Sequence, residues 1–333
     1  MKNMRIAYLD SVKLLTIYLV ILGHVIAMVV SGNAVDSRLF AFIYSFHVPL
    51  FVLMSGYFVN NKSLSRPLPD LIITKSRQLL LPAIMCSVIC CLYLFLFRSN
   101  CNYKDEIVGN SWFLKTLFVY NLLIYLLKQL QISDFLLFVV SCFALFVIPH
   151  ATTLQINLLW PYFIVGFLLR KHNILNEIAG SWLATLSFLL LFAGCYSLQQ
   201  YLDIPNYIPI NIDTLQGQWH LILFRYIVGF SGCMCVISLL SLVDRYIGHK
   251  KKYLQIADFG KYTLGIYVLQ TILVINVFPD VYAWHMESGL LLDVVVAPLL
   301  SLAFLSLCLW LIHIFSKSRK LDLLLFGGQY YKR

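Results

Sequence analysis

Ten stretches of this chain are apolar over about the length a helix needs to cross lipid, roughly 20 residues each. They run over 8–31, 38–60, 78–97, 112–128, 134–150, 154–170, 181–199, 219–243, 260–279 and 289–315. No other feature restricts the fold as strongly. In hydrocarbon every backbone N–H and C=O must find an internal partner, which leaves only helices and closed barrels, and unbroken apolar runs of this length read as helices. The expected fold class is all-α, a polytopic transmembrane bundle of about ten spans. Ten spans take up some 200 of the 333 residues, so 1–333 reads as one membrane-embedded domain with little chain left for a soluble one. Only 12% of residues are charged, against roughly 25% in soluble domains. That excludes a secreted disulfide scaffold, a disordered chain and a soluble multidomain enzyme.

Orientation follows from the basic residues. A formal charge of +10 would suggest nucleic acid in a soluble protein, but here it reflects Lys and Arg gathered on one side of a bilayer. With the N-terminus inside, 20 of the 25 basic residues fall on or near the cytoplasmic side, leaving Arg38, Arg98, Lys104, Lys115 and Arg225 in the outer half. The outer loops carry Asp203, Asp213, Asp280 and Glu287. Both termini are therefore expected in the cytoplasm, with the chain multi-pass in the cell membrane. The first apolar run contains Asp10 and Lys13 and lacks a small-x-small site, so it does not read as a cleaved signal. Eight of the nine cysteines sit inside apolar runs, with Cys101 in a polar loop; no metal or disulfide pattern emerges.

Ionisable side chains inside such runs are costly and mark function by default. The first run holds Asp10, Lys13 and His24. Lys13 and His24 are eleven residues apart, close to three helical turns, so they share a face with a rise of about 16 Å between them. Asp10, three residues before Lys13, lies on the same face. Lys13 thus belongs near the cytoplasmic mouth and His24 in the outer half. The second run returns inward through the short link Ser31 to Ser37 and carries His47. Counted from the outer helix ends, the two histidines lie roughly 10–14 Å deep on adjacent antiparallel helices. Pro49 removes a backbone donor and is expected to kink the second helix beside His47; Ser55-Gly56 gives close backbone approach further in.

Plainer readings stand beside these. Lys13 can snorkel to the interface, Asp10 can cap its helix or pair with Lys13, and a membrane histidine can serve only to bridge helices. Trp112 fits an aromatic belt, and Lys115 and Arg225 can snorkel near the outer interface. The alternative for these three is a role in gripping a sugar or phosphate, which makes them the candidate acceptor-binding set.

Asp10-Ser-Val-Lys13, Leu-Gly-His24, Tyr44-Ser-Phe-His47-Val-Pro-Leu-Phe51 and Ser55-Gly56-Tyr57 together resemble the acyltransferase-3 family of integral membrane proteins, in particular its fucose 4-O-acetylase-like branch. The likeness continues through Lys75-Ser-Arg77-Gln-Leu-Leu-Leu-Pro82, Trp112-Phe-Leu, Trp160-Pro-Tyr-Phe-Ile-Val-Gly166 and Gly260-Lys-Tyr-Thr-Leu-Gly-Ile-Tyr267, and so spans essentially the whole chain. The family motif, a basic residue, ten positions and a histidine, is met by Lys13 and His24. Lysine here binds phosphate as a point charge, without arginine's bidentate fork. Many members carry His where this chain has Gln270, so no catalytic role carries over to that position.

The resemblance implies ten core spans and transfer of an acyl group from cytosolic acyl-CoA to a hydroxyl of an extracytoplasmic glycan. Acyl-CoA, such as acetyl-CoA, would be a co-substrate, with no permanently bound cofactor. Lys13, Lys75 and Arg77 would hold its phosphates at the inner mouth. His24 would act as general base, since an imidazole with a reference pKa of about 6.5 is largely neutral at pH 7; such a base is worth about 10²–10⁴ in rate. His47 would orient His24, protonate the thiolate or stabilise the oxyanion, and Asp10 would hold Lys13. Partners implied are acyl-CoA, a surface or lipid-linked glycan and membrane lipid, with no nucleic acid. Loops 98–111, 200–218 and 280–289 would set acceptor choice. Direct transfer and an acyl-imidazole intermediate both stay open. The rival class is a transporter or flippase for a glycan or lipid intermediate; a purely structural membrane subunit leaves Lys13, His24 and His47 unexplained.

Overall fold

The computed structural model describes residues 7–59, 64–98, 103–147, 154–206, 208, 210, 212–282 and 285–331. Lys2, Arg5, Lys62, Cys101, most of the 150–154 link and the side chains of Lys104 and Asp213 lie outside what is described. Among the described residues every element is helical and there is no strand; the one isolated bridge joins Val30 to Met286.

Each of the ten apolar runs is occupied by helix, and seven helices among the described residues are long and apolar enough to cross a membrane. Helix α1 (Ala7–Val29) is followed by α2 (Arg38–Tyr44) and α3 (His47–Tyr57). Then α4 (Leu68–Lys75) continues through a π-helical turn, Ser76–Leu80, into α5 (Leu81–Phe97). Four shorter elements follow: α6 (Tyr103–Gly109), α7 (Trp112–Lys128), α8 (Asp134–Val147) and α9 (Ile156–Lys171). After α10 (Ile174–Ile178) come the long helices α11 (Trp182–Tyr201) and α12 (Ile212–Ile247). Next, α13 (Lys251–Asp258) passes through a 3₁₀ turn, Phe259–Tyr262, into α14 (Thr263–Gln270) and a second π-helical segment, Thr271–Val277. The helices α15 (Phe278–Val281), α16 (Ala297–Phe315) and α17 (Arg319–Phe326) complete the chain.

Three of the ten expected spans, on α7, α8 and α9, have 17, 14 and 16 residues among those described. At about 1.5 Å per residue these fall short of a hydrocarbon core of about 30 Å. Backbone chemistry explains two of the ends: Ser111 and Gln155 sit at φ 53° and 48°, in the left-handed region, directly before α7 and α9. Neither right-handed helix can extend back through such a residue.

Burial sorts the helices into layers. Of the most apolar stretch of α1, 56% is buried, against 17% for α11 and 22% for the stretch ending in α16. The first helix is the central post, touching α3, α12, α14 and α16, while α11 and α16 turn apolar faces such as Leu183, Leu190, Leu299 and Trp310 outward. The tightest seam joins α3 to α9. A Cβ on Gly56 would lie 2.0 Å from the Phe163 carbonyl oxygen, and one on Gly166 would lie 2.0 Å from that of Leu53. Two glycines thus let the backbones touch reciprocally.

The second span is broken rather than gently kinked, and the break precedes Pro49. It falls at Ser45-Phe46, where Phe46 leaves helical geometry with φ −145° and ψ −17°. Proline at position 49 cannot donate to the Ser45 carbonyl, so the preceding turn is released. Phe46 N–H and the His47 ring both turn to the Ile43 carbonyl instead.

Candidate active site

Two cavities lie back to back along α1. The first, of about 320 Å³, is lined by His24 of α1, Tyr44 of α2, His47 of α3, Trp112 of α7 and Arg225 of α12, among others. The second, of about 310 Å³, is lined by Lys13 of α1, Lys75 at the end of α4 and Lys261 in the 3₁₀ turn. Phe51, Phe113 and Tyr267 line both. Phe51 and Phe113 meet edge to face at 4.7 Å, and Phe113 tilts against Tyr267 at 5.7 Å, so three rings from three helices form the wall between the cavities. Among the described residues no Asp or Glu lines either space.

In the histidine cavity, local sequence sets the ring positions. Gly23 leaves room for Tyr44, whose Cε2 would stand 2.8 Å from a Cβ there. The Tyr44 ring then packs edge-on against His47 at 4.5 Å between centroids. His47 Nδ1 lies 2.8 Å from the Ile43 carbonyl oxygen. A carbonyl only accepts, so Nδ1 carries the proton, and a neutral His47 has its lone pair on Nε2. That ring can therefore accept a hydrogen bond at Nε2 but donates there only when charged. The half-buried His24 makes no hydrogen bond to protein among the described residues, leaving both ring nitrogens available to a bound molecule.

The lysine cavity collects cations whose charges are only partly answered. Lys13 Nζ is 2.6 Å from Asp10 and 4.4 Å from the centre of the Phe58 ring. Lys261 pairs with Asp258. Lys75 has no carboxylate partner among the described residues. Gly260 allows this assembly, because a Cβ there would fall 2.1 Å from the Asp10 carbonyl oxygen; the turn bearing Lys261 lies directly on the start of α1.

The residues singled out from sequence therefore divide. His24, His47, Trp112 and Arg225 come together in one cavity, and Lys13 and Lys75 in the other. Asp10 sits with Lys13, about 21 Å of helix rise from His24, and so groups with the lysines and not with the histidines. Arg77 lines neither cavity; its guanidinium packs on the Gly327–Gly328 turn. Lys115 also points elsewhere, donating to the carbonyls of Ile107, Val108 and Asn110 and so capping the end of α6. Gln270 is fully buried beside Thr271 and lines neither cavity. Sequence reading missed Lys261, Asn206 and the three wall rings. Lys261 had a signal, since Gly260 precedes it in a segment already noted; the rings look like ordinary apolar core.

A family model described as an acyltransferase domain matches residues 6–313. The chain belongs to the acyltransferase-3 family. It is 27% identical over 214 residues to the nodulation protein NolL of Sinorhizobium fredii (strain NBRC 101917 / NGR234), covering 60% of this chain and 58% of that protein. It is 29% identical over 184 residues to NolL of Mesorhizobium japonicum (strain LMG 29417 / CECT 9101 / MAFF 303099), covering 51% and 49%. The chain thus spans about half the length of the curated relatives it matches. No solved structure matches. The chain thus carries an acyltransferase domain of this family together with seven helices, among the described residues, that are long and apolar enough to cross a membrane.

Proposed function

We propose that this acyltransferase is a multi-pass cell-membrane enzyme that takes an acyl group, acetyl in the simplest case, from cytosolic acyl-CoA and passes it to a hydroxyl of an extracytoplasmic glycan or glycolipid. One observation carries the reading: a lysine-lined cavity and a histidine-lined cavity share the wall Phe51, Phe113 and Tyr267. Phosphates cannot enter lipid, but a cationic cavity suits them, and the uncharged pantetheine arm can pass between aromatic rings. The excess of basic residues near the lysine end supports a cytoplasmic position for that end. Lys13, Lys75 and Lys261 hold the nucleotide end. His24 takes the acceptor proton as the hydroxyl oxygen attacks the thioester carbonyl. The C–S bond then breaks, and the thiolate leaves with a proton returned from the imidazolium. His47, with Nδ1–H tied to Ile43, offers Nε2 as a second acceptor that fixes the acceptor hydroxyl or the His24 ring.

Membranes carrying the protein are incubated with labelled acetyl-CoA, and label entering glycan is counted. His24→Ala is expected to abolish incorporation while leaving membrane insertion intact. Normal product formation by a well-expressed His24→Ala protein, or glycan that crosses unmodified, would overturn the reading.

A further inference from the structure

Among the described residues that line the histidine cavity, Arg225 alone is charged at every working pH, and it is 8% exposed. Its Nε donates to the Asn206 carbonyl at 3.1 Å, and Nη1 donates to Gln199 Oε1 at 3.0 Å. Both acceptors are neutral. Among the described residues Nη2 has no hydrogen-bond partner and no carboxylate pairs with this guanidinium. The supports are themselves tied down: Gln199 Nε2 donates to Asn206 Oδ1 at 2.9 Å and to the Ile204 carbonyl at 3.1 Å, and Asn206 Nδ2 donates to the Ala41 carbonyl at 3.1 Å. A side chain needed only to peg the 204–210 loop could be a neutral amide. A buried charge without a counter-charge is costly to keep, and a rigid guanidinium with donors to spare suits a planar or tetrahedral oxyanion.

We propose that Arg225 is the anchor for an oxyanion on the acceptor, a carboxylate or a phosphate near the hydroxyl to be acylated. This rests on the reading of the cavity as an acceptor site, and it narrows the acceptor from any glycan to an acidic one. The two anions share the chemistry and differ in source: a carboxylate belongs to a sugar acid, a phosphate to a phosphorylated sugar or a lipid-phosphate carrier. Held at Arg225, the anion fixes the acceptor's register, so that one hydroxyl meets His24 and His47.

The test uses the full chain purified in detergent, with the thermal-unfolding midpoint followed during titration with glucose, glucuronate and glucose 6-phosphate. Glucuronate or glucose 6-phosphate is expected to raise the midpoint, and glucose to leave it unmoved; the stronger of the two anions assigns the source. Arg225→Gln is expected to weaken that anion roughly 10- to 100-fold, as loss of charge-assisted hydrogen bonds does, and Arg225→Lys to restore part of it. Lys13→Ala controls for anion binding in the other cavity and is expected to leave the shift in place. No shift with either anion, a shift that survives Arg225→Gln, or one lost with Lys13→Ala would overturn the proposal. Because binding is read without turnover, His24→Ala keeps the shift while losing transfer, which separates failure of this inference from failure of the acyltransfer mechanism.

Discussion

Placing one methyl group in the α3–α9 seam tests whether the two helices hold the site by backbone contact. In Gly56→Ala the new Cβ would lie 2.0 Å from the Phe163 carbonyl oxygen, and in Gly166→Ala 2.0 Å from that of Leu53. Ordinary contact begins at 3.4 Å, so either substitution must part the helices by about 1.4 Å. Backbone oxygens cannot rotate away as a side-chain tip can. A gap of that size forfeits about half of each atom pair's attraction of roughly 0.1–0.2 kcal/mol. If about 40 pairs across the seam are affected, one core residue's worth, the loss is about 3 kcal/mol. This lies at the upper end of measured overpacking costs, about 1–3 kcal/mol. For a chain of this size a loss of that order lowers the unfolding midpoint by about 6 °C, at roughly 2 °C per kcal/mol. The double variant is the sharper measurement. Once the first Cβ has opened the seam, the second enters space already made, so Gly56→Ala/Gly166→Ala is expected to cost about as much as either single change, a coupling of about 3 kcal/mol. Thermal unfolding of the three purified variants decides. Additive losses, or single variants as stable as the parent, would refute the reciprocal-contact argument.

Two further outcomes follow from the site. Lys13→Ala and Lys261→Ala are each expected to raise the KM for acyl-CoA with little change in kcat, whereas Arg77→Ala, whose side chain rests on the Gly327–Gly328 turn, is expected to leave KM alone. Steady-state kinetics at varied acyl-CoA checks both. His47→Asn keeps an N–H near the Nδ1 position for the Ile43 carbonyl but removes the Nε2 lone pair. It is expected to fold normally and to lose about 10²–10⁴ in rate, and near-parental rates in a labelled-acetyl assay would remove His47 from the chemistry.

How much of this was legible in the sequence depended on the physics involved. Helix positions were, because hydropathy acts over windows of about 20 residues and needs no partner, though seven helices rather than ten among the described residues reach crossing length. The shared face of Lys13 and His24 was legible too, since helical geometry alone fixes it. The start of α7 was read at 112 and that of α9 within two residues, but not their cause, the left-handed conformations at Ser111 and Gln155, residues with no glycine to announce them. Pro49 signalled disruption but not its place, because a missing N–H releases the carbonyl four residues back and the chain yields there. Arg77 was expected at the phosphates from the resemblance, and Lys115 was read as snorkelling or gripping an acceptor; only tertiary contacts show the first packed on a turn and the second spent on helix carbonyls. Phe51, Phe113 and Tyr267 were invisible as a wall, since nothing in an aromatic residue's neighbours along the chain tells which two cavities it will divide.

The two cavities owe their spacing to a single rigid object. Lys13 and His24 are both carried by α1, whose most apolar stretch is 56% buried, so about 16 Å of helix rise fixes the distance between the proposed phosphate anchor and the proposed base. Loops can move around this ruler without changing it. The second histidine is set differently: the α2–α3 break exposes the Ile43 carbonyl, that carbonyl fixes the His47 ring, and Gly56 against α9 fixes the helix that bears it. In the proposed reaction a donor of one defined length is measured along α1, while the acceptor is met by groups on α2, α3, α12 and the loop bearing Asn206, Ile208 and Ile210. On the proposed mechanism, this division lets relatives change acceptor by altering the second set while the first stays constant. It also makes one perturbation far worse than any point substitution: inserting a residue between Lys13 and His24 would turn the imidazole by about 100° away from the cavity while leaving every side chain of the site present.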